Sequence, residues 1–297
     1  MKTKTRNWLI ALFILACPFV LFLGCLFFME EPLPPVVSLP SPNGYDDLVK
    51  AGKMLASNVS DYDKLSQEEL RVLVDKNLKA LQLARLGMQQ ECRVSLQFLP
   101  GYPNLDDLSG IKRLAHAFVA EGKLAEIDNH PSAAAKSYLA VFHLGNESAR
   151  GGLLIDQLVE IAMEALGTSR LQKTADQLDA KSCRESAATL ETLDSQRQSW
   201  ETVMQQEDAW SRRTFTGIRY EIARLMRRKA LKQSFQKSEL AFQQQQIKTR
   251  QLMIVLAARA YELDKGHRPA SAAELVSEYL KAVPQDPVTG TNLIYSP

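Results

Sequence analysis

The chain is poor in the residues that build the commoner chemical sites. Its 297 residues include four cysteines and four histidines. No CxxC pair occurs, and His116, His130, His143 and His267 are scattered, none at HExxH or another metal spacing, so zinc and thioredoxin-like chemistry have no support. The phosphate loop GxxxxGK[ST], the GxGxxG turn and the GxSxG nucleophile elbow are all absent, and no cofactor is expected. Runs of alternating polar and apolar residues are nearly missing, which leaves little from which to build a sheet. An excess of charge of one sign is missing too, with 36 Lys and Arg against 34 Asp and Glu. Lys2, Lys4 and Arg6 outweigh that difference, leaving residues 30–297 with 33 basic and 34 acidic groups. The mildly basic pI of about 8.3 therefore belongs to a tail, and the body has no charge signature of nucleic-acid binding.

Charge is wholly absent from WLIALFILACPFVLFLGCLFFM, residues 8–29. These 22 residues reach roughly 33 Å as a helix at about 1.5 Å per residue, enough for a ~30 Å hydrocarbon core. Pro18 falls in the middle, a break that membrane helices tolerate. Basic residues 1–7 precede the run and Glu30 and Glu31 follow it, so the positive-inside rule puts 1–7 in the cytoplasm and the rest outside. This predicts a single-pass inner-membrane protein with a periplasmic body. A cleaved signal peptide fits less well, because the run is long and ends in LFFMEEPLPP. ILAC and FLGC approach lipoprotein signals at Cys17 and Cys25, but Leu sits at the wrong place in each. A type IV pilin signal needs a Glu inside the apolar stretch, and residues 8–29 hold none. EEPLPPVVSLPSPNG, residues 30–44, has five prolines in 15 residues and predicts an extended spacer.

From Tyr45 onward the 3.6-residue apolar period dominates and predicts an all-α domain over 45–265. YDDLVKAGKML reads as a short helix. SQEELRVLVDKNLKALQLARLGM reads as a longer one, with Ser66 as N-cap, Glu69 completing a capping box, and Leu70, Leu73, Val74, Leu78, Leu81 and Leu86 as its stripe. CRVSLQFLPGYPN interrupts the pattern. LDDLSGIKRLAHAFVAEGKLAEIDN and PSAAAKSYLAVFHLGNESARGG form a helix pair with Pro131 starting the second member. Ala115, Ala134, Tyr138 and Ala140 are its packing positions. The pair looks like one helical hairpin of the tetratricopeptide type, without a second copy 34 residues on. GLLIDQLVEIAMEALGTSRLQKTA reads as a further apolar-rich helix, and residues 183–235 as one long helix with a weak point at Gly217.

Few groups in this frame suggest chemistry. The pairs Asp46–Asp47, Glu68–Glu69 and Asp106–Asp107 stand at predicted helix starts, where they oppose the helix dipole. In an oxidising compartment Cys92 and Cys183 can form one disulfide, with two buried thiols as the alternative. Arg212, Arg213, Arg219, Arg224, Arg227, Arg228, Lys229 and Lys232 face a single Glu221. That face is either the solvated side of a packed helix or a surface for an anionic partner such as lipid headgroups or a cell-envelope polymer. FQQQQ, residues 242–246, reads as an exposed helix flank.

The C-terminal module 266–297 has its own punctuation. Gly266 ends a helix near Lys265, Pro269 redirects the chain, Ser271 caps a short helix AAELV, DPVTG forms a turn, and Leu293, Ile294 and Tyr295 lie back on the body. ARAYELDKGHRPASAAELVSEYLKAVPQDPVTGTNLIYSP, together with NGYDDLVKAG, QECRVSLQF and LGNESARGGLLID, resembles membrane-anchored helical proteins of planctomycete-type bacteria. The last 40 or so residues more distantly resemble the C-terminal segments of type II secretion pseudopilins. The second resemblance implies a calcium site near Asp286, Thr289 and Asn292, against which stands a bare turn. The function expected is a non-enzymatic, membrane-anchored periplasmic binding or scaffolding module, with a protein or an anionic envelope polymer as partner. The alternatives are a pseudopilin-like secretion component and an enzyme of unrecognised type.

Overall fold

The computed structural model describes residues 36–56, 62–101, 104–215 and 232–295. The basic tail 1–7, the span 8–29, residues 30–35 of the spacer, Gly217, Arg219, Arg224, Arg227, Arg228 and Lys229 lie outside the described residues. Among the described residues no helix is long and apolar enough to cross a membrane. They form an all-α architecture, with two isolated bridges, Val276–Leu280 and Gln285–Asn292, instead of a sheet.

Ser38–Pro297 is one compact unit, divided from Met1–Val37. The last residues of the spacer belong to that unit, and Asn43 is held there. Its side chain accepts from the Tyr45 amide, capping α1 (Gly44–Met54), and also bonds both the amide and the carbonyl of Arg93. Helix α2 (Gln67–Gly87) starts at the expected capping box of Ser66 and Glu69. It buries Leu70, Leu73, Val74 and Leu81, whereas Leu78 and Leu86 are exposed. Ala80, Ala84 and the polar Asn77 occupy the buried face in their place. Asn77 is affordable there because it accepts from the Ala56 amide at 2.9 Å and donates to the Leu73 carbonyl at 2.8 Å.

The helical hairpin is α3 (Leu105–Ile127) and α4 (Pro131–Ala149), with Pro131 at the first position of α4 and Asn129 in the left-handed turn between them at φ 60°. Ala115, Ala134 and Tyr138 are completely buried, and Ala140 is partly so. Helix α1 crosses α3 closely enough that a Cβ on Gly52 would stand 2.8 Å from the Gly110 backbone. Helix α5 (Leu154–Thr174) packs extensively on α4.

The expected long helix 183–235 is broken. Helix α6 (Ala180–Gln196) ends where Arg197 turns extended at ψ 138°, and α7 (Trp200–Thr214) starts afresh from Ser199, whose hydroxyl accepts from the Thr202 amide. Local propensity favours continuity here, but turning at Arg197 carries its side chain into the interior. Helix α8 (Lys232–Lys265) lies across α6 and α5.

Beyond α8, Gly266 adopts φ 78°, and Ala272–Leu275 is a single 3-10 turn; Ser271 precedes it without a side-chain capping bond. Leu275, Tyr279 and Leu280 join the core. Leu293 and Tyr295 lie partly buried against it, while Ile294, expected beside them, is 85% exposed. Successive residues of an extended segment point to opposite faces, so Ile294 projects outward where its neighbours turn in.

Candidate functional site

The apolar-rich reading of α5 missed its most consequential face. Asp156, Glu160, Glu164 and Thr168 recur every fourth residue, hence on one side of a helix, and are 1%, 2%, 2% and 7% exposed. Asp156 accepts from the Leu153 amide at the start of the helix. Thr168, three turns on, donates to the Glu164 carbonyl at 2.8 Å. Between them two carboxylates lie in the interior.

Their partner is Arg197, from the break between α6 and α7. Its guanidinium pairs with Glu164 and, at 3.3 Å, with Glu160, and approaches Asp194 of α6 at 3.8 Å. It also lies over the Phe242 ring of α8, 5.5 Å from the centroid. Asp194 is held from α8 by Arg250 Nε at 2.8 Å and by the Gln246 amide at 3.3 Å. Gln157 donates to Glu160, and Glu160 packs over Gly145 of α4. Phe242 and Gln245 are buried, Gln243 and Gln246 half-buried and Gln244 exposed, so FQQQQ is only in part the exposed flank expected of it.

Electrostatic balance decides the ionisation. Three carboxylates, Glu160, Glu164 and Asp194, face two guanidinium groups, Arg197 and Arg250, so complete ionisation would leave an uncompensated buried negative charge. Burial first, then the adjacent Glu164, pushes the Glu160 carboxyl up to about 8, against the pull of Arg197 and the more distant Arg150. Burial raises Glu164 as well, with Arg197 opposing. A raised Glu160 carboxyl retains its proton more readily than a free one, which relieves that excess. With Glu160, Glu164 and Arg197 sealed from solvent and Arg250 partly exposed, these groups join α5, α6 and α8 electrostatically.

Past Thr168 the same face opens to the surface. An open pocket of about 440 Å³ lies between α5 and α8, floored by Thr168 and Gln245 and rimmed by Ser169, Gln172, Lys173 and Lys248. The Gln245 amide nitrogen donates to the Thr168 hydroxyl at 3.0 Å and to the Thr249 hydroxyl at 3.4 Å, so the floor is buried yet hydrogen-bonded. A spacing of four between polar residues on an otherwise apolar helix is the sequence signal that could have located both features.

The residues singled out from sequence lie elsewhere. Arg212, at the end of α7, pairs with Asp208 at 2.9 Å, and Arg213 lies 5.4 Å over the Phe98 ring. Lys232 is the first residue of α8. Cys92 and Cys183 are both free and buried in different surroundings. Cys92 Sγ faces the Gly87 carbonyl at 3.5 Å beside α1, and Cys183 Sγ faces the Ala175 carbonyl at 4.0 Å. Burial pushes the Cys92 thiol up to about 12 and the Cys183 thiol up to about 11, which disfavours the reactive thiolate. Asp286 closes its turn by accepting from the Val288 and Thr289 amides at 2.7 and 3.1 Å.

No protein-family model, curated protein or solved structure matches this chain.

Proposed function

We propose that the chain is a non-enzymatic, membrane-anchored helical module that presents a binding surface in the periplasm. Residues 8–29 anchor it in the inner membrane, with 1–7 on the cytoplasmic side. The observation that carries the binding role is the division of polar groups along one face of α5. Its carboxylates are enclosed and matched to Arg197, a use of charge that fixes helices, whereas the continuation of that face is an open, hydrogen-bonded pocket. A helical scaffold with a preformed recess carrying several polar groups suits capture of a ligand or partner.

Topology is tested on cells carrying the full chain with a C-terminal epitope. Protease added to spheroplasts should remove the epitope and the helical body while leaving cytoplasmic markers intact. Full protection, or a mature N-terminus beginning beyond residue 17, would overturn the anchor and its orientation.

A further inference from the structure

We propose that the pocket between α5 and α8 binds a hydroxylated oxyanion, a sugar-like unit bearing a carboxylate or a phosphate; this rests on the reading of the chain as a binding module. Three features of its lining carry the inference. Its lining contains no Asp or Glu, Ala165 is its single apolar residue, and two lysines, Lys173 and Lys248, line it from different helices.

Among the described residues, four other basic side chains of the same two helices are paired, Lys237 being the exception. Arg170 meets Asp63 at 2.5 Å, Arg250 meets Asp194 at 2.8 Å, Arg259 meets Glu262 at 3.1 Å and Lys265 meets Glu278 at 3.3 Å. Among the described residues Lys173 and Lys248 form no ion pair. The pocket is therefore a local concentration of positive charge in a body whose overall charge is close to balanced, and it attracts an anion.

Its other groups select for more than charge. Ser169 and Gln172 offer a hydroxyl and an amide that both donate and accept, while the floor, where the Thr168 hydroxyl already donates to the Glu164 carbonyl and the Gln245 amide to Thr168 and Thr249, offers acceptors; together they match alcohol hydroxyls. Gln245 and Thr168 are already held by each other and by Thr249, so little side-chain freedom is lost when a ligand meets the floor. The volume of about 440 Å³ accommodates a single such unit, whether free or the end of a polymer.

The test is calorimetric titration of the full chain in neutral detergent at low salt, with glucuronate, glucose 6-phosphate, inorganic phosphate and glucose as probes. The two acidic sugars should bind with a Kd of roughly 1 mM or below, and glucose and inorganic phosphate about tenfold more weakly or worse. Lys173→Gln combined with Lys248→Gln should weaken the acidic sugars by about tenfold or more, while Lys237→Gln leaves them unchanged. Raising the salt should lower the affinity of the unaltered chain. Tighter binding of a polyglucuronate than of glucuronate, lost in the double variant, would identify the ligand as polymer-borne, and equal binding as the free unit. Three results overturn the proposal: no acidic sugar bound at ~10 mM, affinity retained in the double variant, or glucose or phosphate binding as well as the acidic sugars. Because the double variant removes only surface charges, its melting temperature should match that of the parent. A failure of all probes together with a protease-exposed body would refute the pocket and leave the membrane-anchored module standing.

Discussion

Arg197 and Glu164 stand 33 residues apart in sequence, and their side chains pair in the interior, each 3% exposed. The contact coincides with a break in helix that local propensity does not require, where the chain leaving α6 brings Arg197 across to α5. Removing one partner of a buried pair leaves the other charge unmatched, which costs more than the pair itself contributes.

Arg197→Met should therefore destabilise the full chain by about 3–5 kcal/mol, read from the denaturant midpoint. Arg71→Met, which breaks the half-exposed pair with Asp128, serves as the comparison and should cost below about 1 kcal/mol. Equal effects at the two positions would show that the buried charges do not organise the α5–α6–α8 contact.

The raised Glu160 carboxyl gives a pH dependence of defined sign. Unfolded, Glu160 titrates near 4.5; folded, it is pushed up to about 8. Between those values the folded state holds a proton that the unfolded state has released, so stability is fully present on the acid side and declines as pH rises through the window. The melting temperature should fall by several degrees between about pH 5 and 8.5, and Glu160→Gln should flatten the decline. A melting temperature that rises across that range, or the same slope in Glu160→Gln, would contradict the assignment.

The crossing of α1 and α3 predicts an asymmetry between two glycines. A Cβ at Gly52 meets Gly110 backbone at 2.8 Å, while one at Gly110 meets nothing nearer than 3.5 Å. Gly52→Ala should cost about 1–3 kcal/mol because the helices must separate. Gly110→Ala should be neutral or stabilising by up to about 1 kcal/mol, since it removes a helix-interior glycine without a clash. Thermal melts of the two variants decide this directly.

The C-terminal module offers a contrast between two aliphatic residues. Leu280 is 3% exposed and Ile294 is 85% exposed. Leu280→Ala should cost about 2–5 kcal/mol and Ile294→Ala should lie within about 0.5 kcal/mol of the parent. Deleting 288–297, which removes the partly buried Leu293 and Tyr295, should lower the melting temperature by several degrees. An unchanged melting temperature would make the tail a loose appendage.

Much of the helical layout was legible before any coordinates. Ser66 with Glu69, Pro131 after a polar turn, and Gly266 before Pro269 are local signals, each acting within a few residues through hydrogen bonds or fixed dihedrals, so they can be read in order along the chain. The all-α class follows in the same way from the apolar period.

What the sequence by itself determined was thus which segments are helical, where most of them start, and the uncharged 22-residue run that sets the expectation of an anchor. Tertiary structure alone decided where the charges go. Glu160 and Glu164 look like solvated helix positions until α6 ends at Arg197 and α8 brings Phe242, Gln245 and Arg250 over them. Pairing across tens of residues depends on three helices meeting at once, and the gain that justifies burying the charges exists only after they have met.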